Sequence, residues 1–127
     1  MLKNGILNPQ INSLISRVRH TNTLVIADRG FPFWPEIETV DISLIDNIPT
    51  VLEVLQALNS NFNIGKAWMA SEFLEANSAP VVEAYSMLVP SIAFEPHPEF
   101  KRRVPSAIGL IRTGDTTQYG NIIVESA

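Results

Sequence analysis

The sequence predicts an α/β domain with a central, mostly parallel sheet covered by helices on both faces. Three observations predict it. Apolar runs of strand length alternate with stretches of helical periodicity along the chain, the order that builds a parallel sheet with crossover helices. The run Thr23-Leu24-Val25-Ile26-Ala27 is apolar without polar alternation, as a strand buried on both faces is. The helical stretches open on recognisable caps, and proline stops one of them.

Taken in order, Asn8-Pro9 is a helix start, with an N-cap side chain followed by proline at the first helical position. Ile11, Leu14, Ile15 and Val18 follow at helical spacing, and the helix is expected to run to near His20. The strand at 23–27 then leaves Asp28 at a strand's carboxyl end, where open α/β sheets place ligand groups. Gly30-Phe31-Pro32-Phe33-Trp34-Pro35 reads as loop, because two prolines and a glycine break both periodicities. A brief strand is expected over 37–42.

Thr50-Val51-Leu52-Glu53 is a capping box, and the helix behind it is apolar almost all round, so it should be buried. Residues 66–74 fit either strand or helix and are read as strand. Asn77-Ser78-Ala79-Pro80 opens another helix, which carries Val81, Val82, Ala84, Tyr85 and Leu88 and stops at Pro90. Strand 91–95, a short helix over 98–103, strand 107–111 and a closing strand at 119–125, rich in β-branched residues, complete the order.

Composition narrows the function classes. The 127 residues make one domain, 1–127, with 46% hydrophobic and 17% charged residues, a globular balance. A net charge of −4 and a pI near 5.0 argue against a nucleic-acid binder, since no excess of Lys or Arg is available to neutralise phosphates. The basic triplet Lys101-Arg102-Arg103 reads as a solvated helix face. Without cysteine there is no disulfide framework, thiol nucleophile or thiolate metal site. No signal peptide or membrane span is legible, so the expected location is the cytoplasm. The low charge for this size points to surface covered in a homo-oligomer.

Only two histidines occur, and imidazole is the side chain suited to exchange protons near neutral pH. His20 precedes the 23–27 strand and Asp28 ends it. Read singly, His20 is a helix C-terminal cap and Asp28 a turn residue or N-cap; their joint placement favours a shared role in proton chemistry, though spacing alone does not put both side chains in one pocket. His97 before Pro98 is either an N-cap or a ligand group. Tyr119 and Asn121, alternating on a strand, would face the same side, with Gly120 allowing a ligand close to the backbone. A phenol and an amide on one face suit a polyhydroxylated ligand, and equally ordinary surface pairing. Arg112 and Asp115 flank a tight turn at Thr113-Gly114 and are expected to form an ion pair across it. The aromatic segment 31–34 reads as a loop buried under a subunit contact, or as a lid or stacking wall for a sugar face. Nucleotide, P-loop, zincin and nucleophile-elbow motifs are absent, and two histidines without cysteine make a poor metal set.

Together these residues resemble the D-ribose pyranase and L-fucose mutarotase family of sugar-ring isomerases. The resemblance lies in Leu7-Asn8, Ile15-Ser16-Arg17, His20-Thr21-Asn22-Thr23-Leu24-Val25 and Asp28 near the start. Later it lies in Asp41, Ile48-Pro49, the His97-x-x-Phe100-Lys101 element, Ile111-Arg112-Thr113-Gly114-Asp115 and Tyr119-Gly120-Asn121-Ile122-Ile123. It runs from about residue 2 to residue 124 and is weakest from 60 to 95. It implies a three-layer α/β/α domain in a ring stacked into a decamer, with sites near subunit contacts. It implies His20 as the catalytic acid–base group, and Asp28, His97 and Tyr119, Gly120 and Asn121 as substrate-binding residues. His97 places the chain nearer the pyranase branch. Arg29 stands where pyranases carry a small residue, Asp115 where a glutamate is usual, and the 79–88 helix and the tail are short.

The expected function is therefore a cofactor-free, metal-free isomerase that interconverts cyclic forms of a free monosaccharide, D-ribose first. An L-fucose-type mutarotase and a non-enzymatic sugar-binding or regulatory protein are the alternatives.

Overall fold

The computed structural model describes residues 1–127. Six strands, β1 (Thr23–Ala27), β2 (Glu38–Asp41), β3 (Ile64–Ala70), β4 (Ile92–Glu95), β5 (Gly109–Arg112) and β6 (Ile122–Ser126), form one sheet in the order β2-β5-β1-β6-β3-β4. Five helices, α1 (Pro9–Ile15), α2 (Val51–Asn59), α3 (Glu72–Ala76), α4 (Ala79–Leu88) and α5 (His97–Arg103), connect them, with a 3-10 turn at Val104–Ser106. Pairs β1–β5, β2–β5 and β3–β4 are parallel, whereas β6 lies antiparallel to both β1 and β3. Five strands thus run one way, and only β6 is reversed.

The sheet is buried on both faces, and side-chain alternation sorts its residues between two cores. Leu24 and Ile26 of β1, Ile122 and Val124 of β6 and Ala67 and Met69 of β3 face a larger core beneath α1, α2, α3 and α4. Val25, Ala27, Leu110 and Ile123 face a smaller one closed by Phe100, Val104, Ala107 and the aromatic loop. This is the three-layer α/β/α arrangement. The aromatic loop does core work: Phe31 is buried and meets Phe100 edge-on at 6.1 Å, while Phe33 is left 71% exposed.

Three elements differ from expectation. Helix α1 stops at Ile15 instead of reaching His20. There the amides of Arg17 and Val18 turn to the carbonyls of Leu14 and Ile15, Ser16 Oγ bonds Ser13 O, and Asn22 Oδ1 takes the amide of Arg19. These short polar side chains compete with the helical pattern. The 66–74 segment is both things in turn, the end of β3 and the start of α3. Residues 119–121 precede β6 and do not belong to it; Tyr119 has φ of 55°, a left-handed turn conformation that a strand cannot contain. No helix is long and apolar enough to cross a membrane.

Candidate functional site

The five like-directed strands end at one edge of the sheet, and because β6 is reversed, its start lies at that same edge. Three connections therefore converge there: β1 to β2 with Asp28, β4 to α5 with His97, and β5 to β6 with residues 113–121. Between them is a cavity of about 320 Å³ whose lining includes Asp28, His97, Asp115, Thr117, Tyr119 and Asn121. Such a carboxyl-edge crevice is where the strands of an α/β sheet leave space for a ligand.

Asp28 is held in it through both its backbone and its side chain. Its amide donates to Asn121 Oδ1 at 2.7 Å, and Asn121 Nδ2 donates to Asp28 Oδ2 at 3.3 Å. The amide of Gly30 donates to the other carboxylate oxygen at 2.9 Å, an Asx turn. Burial pushes the Asp28 carboxyl above its usual range, against the lowering effect of these hydrogen bonds, and nearby Asp115 adds to the rise.

His97 opens α5. Its amide donates to both carboxylate oxygens of Glu72, at 3.0 and 3.2 Å, so an acid on α3 caps the helix that presents the ring. The ring stands edge-on to Tyr119, with centroids 5.1 Å apart. Its Nε2 is buried and has no partner within the chain. Desolvation first, and Lys101 second, hold the imidazole below its ordinary value, with Glu72 and Asp28 opposing. Both lowering effects favour the neutral ring over the charged one.

The segment Arg112-Thr113-Gly114-Asp115 builds the cavity's frame, and the expected Arg112–Asp115 ion pair does not form. The Arg112 guanidinium, 12% exposed, reaches Asp41 at 3.7 Å and donates at 3.4 Å to the carbonyls of Asp28, Arg29 and Pro32. It gathers the loop that forms one cavity wall. Thr113 Oγ1 donates to Ala27 O at 2.8 Å. Gly114 passes under the 45–48 hairpin so closely that a Cβ would stand 2.2 Å from Ile45 O. Asp115 is buried and accepts from the amide of Val51 at 2.8 Å and that of Thr117 at 2.7 Å. It therefore caps α2 beside the capping box, in which Thr50 and Glu53 exchange bonds as expected. Arg112 is needed by backbone carbonyls and Asp115 by backbone amides, which is why neither turns to the other.

Of the six site residues expected from sequence, the cavity brings together Asp28, His97, Tyr119 and Asn121, and Arg29, Phe31 and Asp115, singled out on other grounds, line it too. Gly120 is beside it but not on its wall. The space next to its Cα is filled by the Tyr85 hydroxyl and Thr117, and Tyr85 Oη donates to its carbonyl at 3.2 Å. Its bareness serves packing and not ligand approach. His20 is elsewhere. It lies exposed in the turn between α1 and β1, beside Thr21, whose amide donates to Ser126 O at 2.9 Å, at the opposite edge of the sheet. A strand rising about 3.3 Å per residue puts Asp28 about 16 Å beyond Thr23. Within one chain, the expectation that the His20 ring shares the Asp28 cavity is therefore corrected.

Sequence reasoning missed Thr116, Thr117 and Gln118 on the wall and Tyr85 behind it, and gave Arg112 a partner that it does not take. The 113–121 connection becomes legible as site only once β6 is known to be reversed. Nothing in the pattern of α4 distinguishes Tyr85 from an ordinary core residue. No three His, Cys, Asp or Glu side chains lie together as metal ligands.

The family model described as the RbsD / FucU transport protein family matches residues 1–127. D-ribose pyranase of Laribacter hongkongensis is 38% identical over 129 residues, spanning 99% of this chain and 97% of its own. D-ribose pyranase of Geobacillus kaustophilus is 38% identical over 128 residues, spanning 99% and 93%. Among solved structures, Bacillus subtilis RbsD complexed with D-ribose superposes with a TM-score of 0.93 at 29% identity, covering 100% of this chain and 98% of that one. The fucose mutarotase of Streptococcus pneumoniae in complex with L-fucose superposes with a TM-score of 0.84 at 16% identity, covering 99% and 98%, a likeness of fold.

Proposed function

The chain belongs to the RbsD / FucU transport protein family, and on that premise we propose that it interconverts the cyclic forms of a free monosaccharide, D-ribose foremost, by general acid–base ring opening. The observation that carries this reading is the polar cavity at the carboxyl edge, where a carboxylate, a neutral imidazole and a phenol converge from Asp28, His97 and Tyr119. Ring opening needs a base to take the proton of the anomeric hydroxyl as the bond between the anomeric carbon and the ring oxygen breaks. The ring oxygen then takes a proton from an acid, leaving an open-chain aldehyde. Closure through a different hydroxyl exchanges pyranose for furanose; closure through the same hydroxyl on the other carbonyl face exchanges anomers. No electrons change hands, so the chemistry asks for positioned proton donors and acceptors and no cofactor. Such groups supply about 10² to 10⁴ in rate.

In this reading Asp28, His97, Tyr119 and the 119–121 turn hold the sugar, and His20 is the acid–base group. Since His20 is at the far edge of its own sheet, it serves a cavity only when a second copy presents it. A contact between the carboxyl edge of one copy and the amino edge of the next is head-to-tail, and such contacts close into rings when the rotation between copies closes. The apolar residues Leu44, Ile45 and Ile48, exposed on the hairpin that Asn47 and Asp46 tie to cavity residues Thr116 and Arg29, support association beside the cavity. A cytoplasmic homo-oligomer is the setting proposed.

Saturation-transfer NMR on D-ribose and L-fucose tests the activity. Accelerated pyranose–furanose exchange in ribose is the expected result. Exchange of fucose anomers alone would identify a mutarotase, and sugar binding without exchange a binding protein. His20→Ala should lower exchange about 10²-fold with the fold intact.

A further inference from the structure

We infer that Glu72 is a positioning residue for His97: from outside the cavity wall it fixes the first backbone amide of α5 and so sets where the imidazole stands in the cavity. Sheet register creates the pair. β3 and β4 run parallel with Ala70 opposite Glu95, and the Ser71 amide extends the pairing to Glu95 O at 2.7 Å. Just past that last pair the two strands turn into α3 and α5, which puts Glu72 beside His97. The start of α5 needs such a partner. Its N-cap, Pro96, offers no side-chain acceptor, Pro98 has no N–H, and the amides of Glu99 and Phe100 turn back to Pro96 O. His97 therefore carries the amide of that first turn still in want of an acceptor, and both Glu72 carboxylate oxygens take it, at 3.0 and 3.2 Å. Ser71 Oγ donates to Glu72 Oε1 at 3.3 Å and steadies the carboxylate. The His97 ring has no such anchor of its own. Its Nε2 has no partner within the chain, and it meets the rings of Tyr119 at 5.1 Å and Phe100 at 6.1 Å. The ring's place accordingly follows its backbone, which buried Phe100 ties to the core and Glu72 holds at the helix end. The charged groups that face the ring are Glu72 from α3, Lys101 from its own helix and Asp28 from the end of β1.

The sugar-binding part of this inference rests on the proposed ring-opening reading; the titration and amide parts need no sugar. Glu72→Gln keeps an acceptor oxygen and loses the charge, whereas Glu72→Ala loses both, and either variant keeps the test available should the other fail to fold. The readouts are an NMR titration of the carbon-13-labelled His97 ring, hydrogen exchange of the His97 amide, and the dependence of sugar exchange on D-ribose concentration. Only two histidines occur, so His20→Ala assigns the His97 signal. Glu72 opposes desolvation and Lys101 in keeping a proton on the ring, so its loss should move the His97 titration further below 6.5 in both variants. A role confined to stability, in which a loosened ring is only let out into water, moves it the other way. The His97 amide should exchange about fivefold faster in Glu72→Ala, the loss of one cap, and near the wild-type rate in Glu72→Gln. Above the His97 titration, KM for D-ribose should rise about fivefold in Glu72→Ala and stay within about twofold in Glu72→Gln. With kcat within about twofold in both, that is the signature of lost sugar binding through His97. A His97 titration unmoved or shifted towards 6.5 in the folded variants overturns the inference, and so does a KM for Glu72→Ala within about twofold of wild type. Absence of exchange on every sugar would sink the proposed function while leaving the titration and the amide to decide the role of Glu72.

Discussion

Separating His20 and Asp28 on two variants, His20→Ala and Asp28→Asn, asks directly whether a site is shared between copies. The structure sets the expectation: β1 holds the two residues at opposite sheet edges, about 16 Å from Thr23 to Asp28 alone, at about 3.3 Å per residue. Each variant by itself should lose about 10²-fold in exchange. In oligomers co-assembled from equal amounts, a cavity is intact when its chain comes from the His20→Ala pool, and it receives a histidine when its neighbour comes from the Asp28→Asn pool. Each condition holds for half the chains, so about one quarter of the sites are complete in a head-to-tail ring. The mixture should recover about one quarter of wild-type exchange, roughly 25-fold above either parent. Two affinity tags isolate the mixed oligomers after co-expression, and saturation transfer on D-ribose reads the rate. Mixed oligomers no more active than their parents would refute the shared site. A fully active His20→Ala protein would remove His20 altogether and leave His97, already in the cavity, as the proton-transfer group.

Other outcomes follow from the same geometry. Asp115→Asn keeps the shape but leaves one buried amide, that of Val51 or Thr117, facing an NH₂ group; a loss of about 3 kcal/mol is expected in urea unfolding. For a chain of this size that is roughly 10 °C in melting temperature, and a change within about 1 °C would deny Asp115 its capping role. Gly114→Ala drives a methyl toward Ile45 O and should cost about 1 to 3 kcal/mol, with amide shifts concentrated in residues 44–48. In pH, exchange needing ionised Asp28 and neutral His97 should show an acid limb above 3.8, because burial raises the carboxyl, while the His97 step lies below 6.5. The stability signs are opposite. Asp28, with its folded value raised, contributes stability below 3.8 that is lost as pH rises through the folded value. His97, with its value depressed, contributes stability above 6.5 that is lost as pH falls through its folded value. Asp28→Asn should therefore flatten the fall of stability as pH rises through the Asp28 titration, and an unchanged pH profile would contradict the burial argument.

The cavity also explains why a short segment resists simple reading. In Arg112-Thr113-Gly114-Asp115 every side chain, or the lack of one, serves backbone atoms: carbonyls of the 28–32 loop, the carbonyl of Ala27, the close hairpin, and the amides of Val51 and Thr117. Opposite charges three residues apart suggested a local ion pair. Long-range backbone needs outcompeted it, because a buried amide or carbonyl without a partner costs more than a solvent-screened pair returns.

By itself the sequence determined what local physics decides. The capping box at Thr50 and Glu53, the proline-started helices, the doubly apolar β1 and the place of Asp28 at its carboxyl end follow from spacing and residue type, and the structure carries them all. What only the tertiary structure decided is direction and neighbourhood. The reversal of β6 is not written in the composition of Ile122-Ile123-Val124, since a β-branched run pairs in either sense. Yet that reversal brings Asn121 beside Asp28 and turns the 113–121 connection into a cavity wall. The same holds for His20. Eight residues from Asp28 in the chain reads as nearness, but a strand is a rigid spacer that keeps its two ends on opposite edges of the sheet.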